Sequence, residues 1–280
     1  MTGPTVWLAS YPKSGNTWMR ALFTAWRSGG PVDLDELDGA PMAAGRAVFA
    51  EELGVLSTSM TAEEVDLLRP RVDEAVAARA DRPLLRKAHD AYFPGPAGEA
   101  ILSAAATHGA VYLIRDPRDV AVSYAHHHGR PPEWARGHMN DPHATVDVDR
   151  EPVPRHLRQR LGTWSDHVRS WVDEAPFPVE VFRYEDLLEA PVREFARALA
   201  FAGFAPADAA VVAAAVEHAS FDRLRRAEDE HGFRERDPKS AGEFFRRGSA
   251  GAWHDELPPE LAAAIADDHA EVMERFGYEP

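Results

Sequence analysis

The chain has 280 residues, 45% of them hydrophobic, so it is long enough for one large α/β domain or two small ones. Its formal net charge of −15 argues against a polynucleotide partner, although a small anion can still bind in a locally positive pocket. Because cysteine is absent, disulfides and thiolate chemistry are excluded, and zinc would need histidine and carboxylate ligands.

The first predicted elements are a strand over residues 6–10, a turn, and a helix that begins near Thr17. Residues 11–18 read Tyr-Pro-Lys-Ser-Gly-Asn-Thr-Trp. Glycine at the bend lets backbone N–H groups point at whatever lies over the helix N-terminus, where the helix dipole favours an anion. The turn is therefore predicted to bind a phosphate. It is not a Walker A motif, because Lys13 precedes Gly15.

The next predicted strand carries two chemically capable side chains at its end. Residues 29–50 are predicted to be loop with short helices, and a capping box predicts a helix over 62–80. A strand over 82–87 follows and leads to Lys87 and His89. These two side chains are predicted to point the same way, because they are two residues apart.

A near-continuous apolar run over residues 110–114 predicts a central parallel strand. It delivers Arg115 at its end, and the helix that follows carries Ser123 about two turns later. Arginine can pair with a phosphate through two parallel hydrogen bonds, and a serine hydroxyl can donate to the same group. A second phosphate contact is therefore predicted here.

Residues 129–156 show no clear period and are predicted to be a long mobile loop or lid. The remaining predicted elements are a helix from Leu157, a strand over 179–183, helical segments over 195–219 with a break near Gly203, a polar flexible segment over 227–243, and a final helix over 260–276.

Strands that alternate with helices predict a doubly wound parallel α/β sheet flanked by helices, with the ligand beyond the carboxyl ends of the strands. The P-loop-like phosphate cradle after the first strand lies at that edge. We expect residues 1–280 to form a single domain with mobile loops near 29–60, 126–156 and 227–243.

Near the C-terminus, Arg246 and Arg247 precede Gly248, and a second glycine and Trp253 follow. Two arginines beside a glycine can form a basic loop that folds over a phosphate.

Together these motifs resemble the cytosolic-type sulfotransferases, which use 3′-phosphoadenosine 5′-phosphosulfate (PAPS), and the resemblance is closest to bacterial members that sulfate natural products. It implies that residues 11–18 are the 5′-phosphosulfate loop, that Arg115 and Ser123 bind the 3′-phosphate, and that His89 is the general base. The predicted donor-binding residues are Lys13, Ser14, Gly15, Asn16, Thr17, Trp18, Arg115, Ser123, Tyr184, Phe221, Arg246, Arg247 and Gly248. The dimerisation motif of vertebrate members is missing after Trp253, so that dimer mode is not implied and the oligomeric state stays open.

The implied reaction is in-line transfer of the sulfuryl group to a hydroxyl of a small-molecule acceptor, a phenol or an alcohol, with release of 3′,5′-bisphosphoadenosine (PAP). His89 would take the hydroxyl proton, Lys13 would stabilise the leaving phosphate, and Lys87 would steady the sulfuryl oxygens. Two alternatives stay open: a P-loop-type small-molecule kinase, and a non-catalytic nucleotide-binding protein on the same scaffold.

No metal is expected. The adjacent His126, His127 and His128 diverge by about 100° per residue on a helix, which disfavours one shared ion, so they are interpreted as an acceptor-pocket rim or plain surface. We expect a cytoplasmic protein with no membrane or nucleic-acid partner. No apolar run is long enough to span a membrane, and the phosphate-binding turn begins too early for a cleavable signal peptide.

Overall fold

A computed structural model describes residues 3–38, 42–95, 98–146, 155–204, 208–236, 240 and 242–279. The strands are β1 (Thr5–Ser10), β2 (Leu84–Ala88), β3 (Thr107–Ile114), β4 (Thr145–Val146), β5 (Gln159–Arg160) and β6 (Val179–Arg183). The helices are α1 (Asn16–Ser28), α2 (Arg46–Leu53), α3 (Ala62–Ala78), α4 (Pro117–His128), α5 (Pro132–Met139), α6 (Trp164–Val172), α7 (Tyr184–Glu189), α8 (Pro191–Phe201), α9 (Ala209–His218), α10 (Phe221–His231), α11 (Trp253–Glu256) and α12 (Pro259–Arg275). Two 3₁₀ helices span Leu34–Glu36 and Ser57–Ser59. None of the helices within these ranges is both long and apolar enough to cross a membrane.

Four parallel strands form the main sheet in the order β2-β1-β3-β6. Because the strands are parallel, their carboxyl ends meet at one edge, and β2 is an outer strand of the sheet. The short β4 and β5 pair antiparallel in a separate ribbon. The predicted parallel sheet flanked by helices is thus confirmed.

Alternate side chains of the central strands enter two separate cores. In β1, Trp7 packs with the core that includes α4, α5, α6 and α12. Its neighbour Leu8 packs on the opposite face, with α1, α8, α9 and α10. In β3, Tyr112 and Leu113 divide in the same way. Both faces of the sheet are therefore covered, which explains the uninterrupted apolar runs of these strands.

The predicted helix from Leu157 is wrong at its start, because α6 begins only at Trp164. Gly162 has a φ of 66°, which interrupts a helix, and the Thr163 side chain then caps α6 by accepting from the Asp166 N–H. Leu157 is nevertheless buried, but in a core with α2 and α3. Its apolar spacing therefore reflected burial in an extended segment.

The prediction of a long loop or lid over 129–156 is also wrong in part, because α5 and β4 lie within it. Similarly, residues 227–231 of the predicted flexible segment belong to α10. Residues 39–41, 147–154, 237–239 and 241 of the predicted loops lie outside the described residues.

Candidate active site

The turn between β1 and α1 is shaped by two residues with left-handed backbones. Lys13 has a φ of 71° and Gly15 a φ of 100°, and Lys13 is the one non-glycine residue with positive φ in the described ranges. The Asn16 side chain fixes the turn by donating to the Leu8 carbonyl oxygen at 2.8 Å. The turn therefore presents the N-terminus of α1, whose first N–H groups have no partner within the helix.

The turn also holds a buried hydroxyl group that has no hydrogen-bond partner. Ser14 is fully buried, and its Oγ is unpartnered in the described part of the chain. A Cβ added to Gly15 would lie 2.7 Å from Tyr184 Cδ2, so only glycine lets this ring pack on the turn. The bare backbone N–H groups of this turn, rather than the buried Ser14 hydroxyl, are the donors that a bound phosphate or sulfate would reach.

Lys13 carries a partly buried ammonium group that forms no ion pair with a carboxylate among the described residues. Its Nζ atom lies 4.0 Å from the centroid of the Phe244 ring. Burial, and then the nearby Arg115 guanidinium, lower the pKa of Lys13 to about 7. A ring face is a weak substitute for an anion, so this ammonium is poised to pair with a negatively charged ligand.

Arg115 lies at the end of β3 and reaches across to the turn. Its guanidinium donates to the Lys13 carbonyl oxygen at 3.3 Å and to the Ser249 carbonyl oxygen at 3.0 Å, and it stacks on the Tyr184 ring at 4.3 Å. Its buried Nε finds no partner among the described atoms. Arg115 therefore joins the phosphate-binding turn to the C-terminal basic segment and keeps donor capacity for an anion.

Lys87 and His89 lie at the end of β2, beside the turn. Lys87 Nζ donates to Glu235 Oε2 at 3.1 Å, and Glu235 also accepts from Arg20 at 2.7 Å. Burial disfavours the Glu235 carboxylate, but Lys87 and Arg20 outweigh this and hold its pKa well below the usual range. Glu235 thus attaches the segment after α10 to the ends of β2 and α1.

The hydrogen bonds of His89 fix its tautomer. Its Nδ1–H donates to the Ser10 carbonyl oxygen at 2.9 Å, since a carbonyl can only accept. The Nε2 atom therefore carries a lone pair. Burial, and then Lys87, lower the pKa of His89 to about 3, so the ring is neutral at pH 7.

His167, which sequence reasoning missed, supports the backbone of His89. Its Nε2–H donates to the His89 carbonyl oxygen at 3.0 Å, while its Nδ1 accepts from the Tyr112 hydroxyl at 2.8 Å. The His167 ring is fully buried, which lowers its pKa to about 4. A lone histidine on a helix gives no sequence signal for this role.

The C-terminal segment folds over the same region. Arg246 Nη1 donates to both carboxylate oxygens of Glu256, at 2.7 and 2.8 Å, and Arg247 Nε lies 3.1 Å from the same carboxylate. Gly248 has a φ of 62°, and any Cβ there would overlap the Phe221 ring.

These groups surround one cavity of about 850 Å³, which every predicted site residue lines except Ser14, whose side chain is buried behind the turn. Of the three adjacent histidines, His127 and His128 line the cavity and His126 does not. No cluster of histidine, cysteine or carboxylate side chains that could hold a metal occurs within the described ranges. Sequence reasoning did not assign a role to six further lining residues. Three lie in the predicted motifs themselves, Arg20, Tyr124 and Phe244, and three lie in segments predicted to be loops, Arg155, Arg234 and Glu235.

Comparisons with known proteins agree with this geometry. Residues 3–277 match the family described as "Sulfotransferase domain". Cytosolic sulfotransferase 16 of Arabidopsis thaliana is 26% identical over 274 residues, which cover 94% of this chain and 74% of the relative. Sulfotransferase 1A1 of Rattus norvegicus is 28% identical over 227 residues, which cover 78% of this chain and 66% of the relative.

Solved structures show the same fold. Mouse sulfotransferase SULT7A1, complexed with PAP, has a TM-score of 0.61 at 20% identity and covers 96% of this chain and 84% of its own. Retinol dehydratase in a complex with retinol and PAP has a TM-score of 0.61 at 19% identity, and the match covers 98% of this chain and 82% of the dehydratase chain. The chain therefore belongs to the sulfotransferase domain family and is a PAPS-dependent sulfotransferase.

Proposed function

We propose that the protein transfers the sulfuryl group of PAPS to a hydroxyl of a small-molecule acceptor, with His89 as the general base. The observation that carries this proposal is the hydrogen bond from His89 Nδ1–H to the Ser10 carbonyl oxygen. It leaves Nε2 free to accept a proton, in a cavity that the phosphate-binding turn also lines. PAPS supplies an activated sulfuryl group, and the chain supplies binding, orientation and the base.

The cations have different roles in this proposal. Lys13 and the N–H groups at the start of α1 stabilise the charge that grows on the departing 5′-phosphate. Lys87 contacts the sulfuryl oxygens from the end of β2. Arg115, Ser123 and Arg246 bind the 3′-phosphate and orient the donor. Arg247 and Gly248 form the loop that closes on it.

The aromatic residues around the turn suit an adenine ring. Trp18 and Tyr184 meet edge to face, with centroids 5.8 Å apart, and Phe221 packs beside Gly248. Trp18 is held by its Nε1–H, which donates to the Ala219 carbonyl oxygen at 3.0 Å. We assign these three rings to the adenine, because stacking on fixed aromatic faces needs no further polar partner.

The low pKa of His89 fits this role in one respect and restricts it in another. A neutral ring is the form that accepts a proton, so the base is ready at pH 7. Its basicity is weak, however, because burial and then the nearby Lys87 lower its pKa. The negative charges of PAPS at Lys13 and Lys87 would offset this cation, so His89 should become a stronger base once the donor is bound.

Three further proposals concern the acceptor, the domain organisation and the location of the protein. The solved retinol dehydratase complexes contain retinol and androsterone, which supports a small-molecule acceptor here as well. We also propose that residues 1–280 act as one domain, supported by the family match over 3–277. A cytoplasmic location is proposed from the name of the Arabidopsis thaliana relative, Cytosolic sulfotransferase 16.

The test combines binding with turnover. Calorimetric titration in the presence of EDTA should show that the wild-type protein binds PAP with micromolar affinity and does not bind 5′-AMP. The Arg115→Ala variant should fail to bind PAP. His89→Ala should keep PAP binding and lower kcat by about two to four orders of magnitude. The matched control is His108→Ala, because His108 lies on β3 away from the cavity.

Wild-type turnover in His89→Ala would show that another group is the base. Binding of ATP with Mg²⁺ but not of PAP would favour the kinase. Tight PAP binding with no transfer to any acceptor would favour a non-catalytic nucleotide-binding protein.

A further inference from the structure

The end of β2 borders the donor through Lys87 on one side and has separate surroundings on the side away from β1. Arg115 follows β3, and β1 lies between β3 and β2 in the sheet. On the far side of β2, the Ala43 N–H donates to the Lys87 carbonyl oxygen at 2.9 Å, and the Leu157 N–H donates to the Ala44 carbonyl oxygen at 2.8 Å. Residues 42–46 and 155–160 thus form the wall beyond Lys87 and His89, and the proposed function puts the acceptor hydroxyl beside this wall.

This end of the cavity carries an excess of positive charge. Arg155 lines it from the wall, while Arg234 and Arg236 line it from either side of Glu235, whose carboxylate reaches Lys87. All three arginines are exposed. Neither Arg155 nor Arg234 forms an ion pair with another described side chain.

The carboxylates that line the cavity in the described residues do not balance this charge. Asp119 accepts from the Gly251 and Trp253 N–H groups, at 2.7 and 3.1 Å. Glu235 is already paired with both Arg20 and Lys87. The whole chain, in contrast, carries 46 acidic and 31 basic side chains, so the lining of the cavity within the described residues is a local reversal of charge.

We propose that the acceptor is itself an anion: a small molecule that carries a carboxylate or phosphate as well as the hydroxyl that receives the sulfuryl group. Arg155 and Arg234 bind its negative group at the cavity mouth while the hydroxyl reaches His89. This inference rests on the proposed function. A cationic mouth raises the local concentration of an anionic ligand and selects it over a neutral one of the same shape.

The test compares acceptors that differ only in charge. The pairs are 4-hydroxyphenylacetate with its methyl ester, and 12-hydroxydodecanoate with its methyl ester, so that both a phenol and an alcohol are offered. At low salt, kcat/KM for at least one acid should exceed that for its ester by about tenfold, and 0.5 M NaCl should reduce this preference.

The variants are Arg155→Gln, Arg234→Gln and the double variant. The double variant should abolish most of the preference for the acid and leave both PAP affinity and kcat/KM for the ester within about twofold of wild type. Arg223→Gln is the matched control, because Arg223 lies on α10 outside the cavity lining and pairs with Glu217.

Equal kcat/KM for acid and ester, a preference for the ester, or a proportional loss of both in the double variant would overturn the inference. Normal PAP binding with no transfer to either acid would also overturn it, and the donor site would stand. If the wild-type protein does not bind PAP, the proposed function is overturned, and the inference with it.

Discussion

The Arg246 guanidinium donates to both oxygens of the Glu256 carboxylate, so a residue proposed to bind the 3′-phosphate is already partly neutralised by the chain. Both side chains are about one quarter exposed. The carboxylate orients the guanidinium, but its charge opposes the approach of a phosphate. The two effects can be separated by replacing Glu256 with glutamine, which keeps a hydrogen-bond acceptor and removes the charge.

Glu256→Gln should therefore tighten PAP binding by about two- to fivefold at low ionic strength, as measured by calorimetry. Asp255→Asn makes the same charge change at a more exposed side chain, which pairs with Arg247 and with no other described cation, so its effect should be smaller. Weaker PAP binding in Glu256→Gln would mean that orientation of Arg246 matters more than its charge.

The depressed pKa of Lys13 predicts how PAP affinity depends on pH. With a pKa of about 7 in the free protein, Lys13 loses its charge as pH rises above 7, and PAP binding must then restore the proton. Wild-type affinity should fall between pH 7 and 9 by up to about tenfold per pH unit.

Lys13→Arg should flatten this profile, since arginine stays protonated throughout the range. Lys13→Met should bind PAP weakly at every pH. The comparison cancels the titration of the PAP phosphates, which is common to all three proteins. Equal slopes in the wild type and Lys13→Arg would exclude Lys13 as the titrating group.

Glycine at position 248 is required for two separable reasons, a positive φ and the close approach of Phe221. Gly248→Ala should displace the ring or the loop and weaken PAP binding about tenfold. Gly54→Ala is the matched control, because Gly54 has a φ of 66° with nothing within 4 Å of an added Cβ. That variant should lose about 1 kcal/mol of stability and keep its PAP affinity. Unchanged affinity in Gly248→Ala would show that this loop does not contact the donor.

Acid should destabilise the fold through buried neutral histidines. His167 has a pKa of about 4 in the folded state, below the usual value near 6.5, so the unfolded chain binds the proton more readily. The stabilisation is complete above pH 6.5 and is lost as pH falls towards 4, by up to about 1.4 kcal/mol per pH unit.

His167→Gln should reduce this slope by about one proton, because an amide can still donate to the His89 carbonyl oxygen and accept from the Tyr112 hydroxyl. Urea unfolding at pH 7, 5.5 and 4.5 measures the difference. An unchanged slope would mean that His167 does not account for the acid sensitivity. A fall in kcat at pH 7 without a change in PAP affinity would identify His167 as a positioning residue for His89.

The local parts of the site could be predicted from the sequence. A strand, a glycine bend and a helix start are determined by neighbouring residues. The sequence could therefore predict the turn at 11–18 and the position of Arg115 at the end of β3. The helix α5 was not predicted, because eight residues are too few to give a clear helical period, and its Trp134 packs against the Tyr124 ring of α4, with centroids 5.6 Å apart.

Contacts between residues far apart in the sequence could not be predicted either. Glu235 reaches Lys87 across 148 positions in the sequence, and no periodicity or spacing reports such a contact. Leu157 shows a different kind of error. The apolar spacing correctly indicated that Leu157 is buried, but it wrongly predicted that the residue lies in a helix.

The wall beyond β2 is joined to the sheet in part through backbone hydrogen bonds, such as that from the Ala43 N–H to the Lys87 carbonyl oxygen. Such bonds do not depend on which side chains the wall carries. The phosphate-binding turn, in contrast, depends on particular residues, because a Cβ at Gly15 would clash with Tyr184 and the Asn16 side chain donates to the Leu8 carbonyl oxygen. The side chains of the wall beyond β2 can thus change during evolution, or be exchanged by an engineer, while the phosphate-binding turn stays constant.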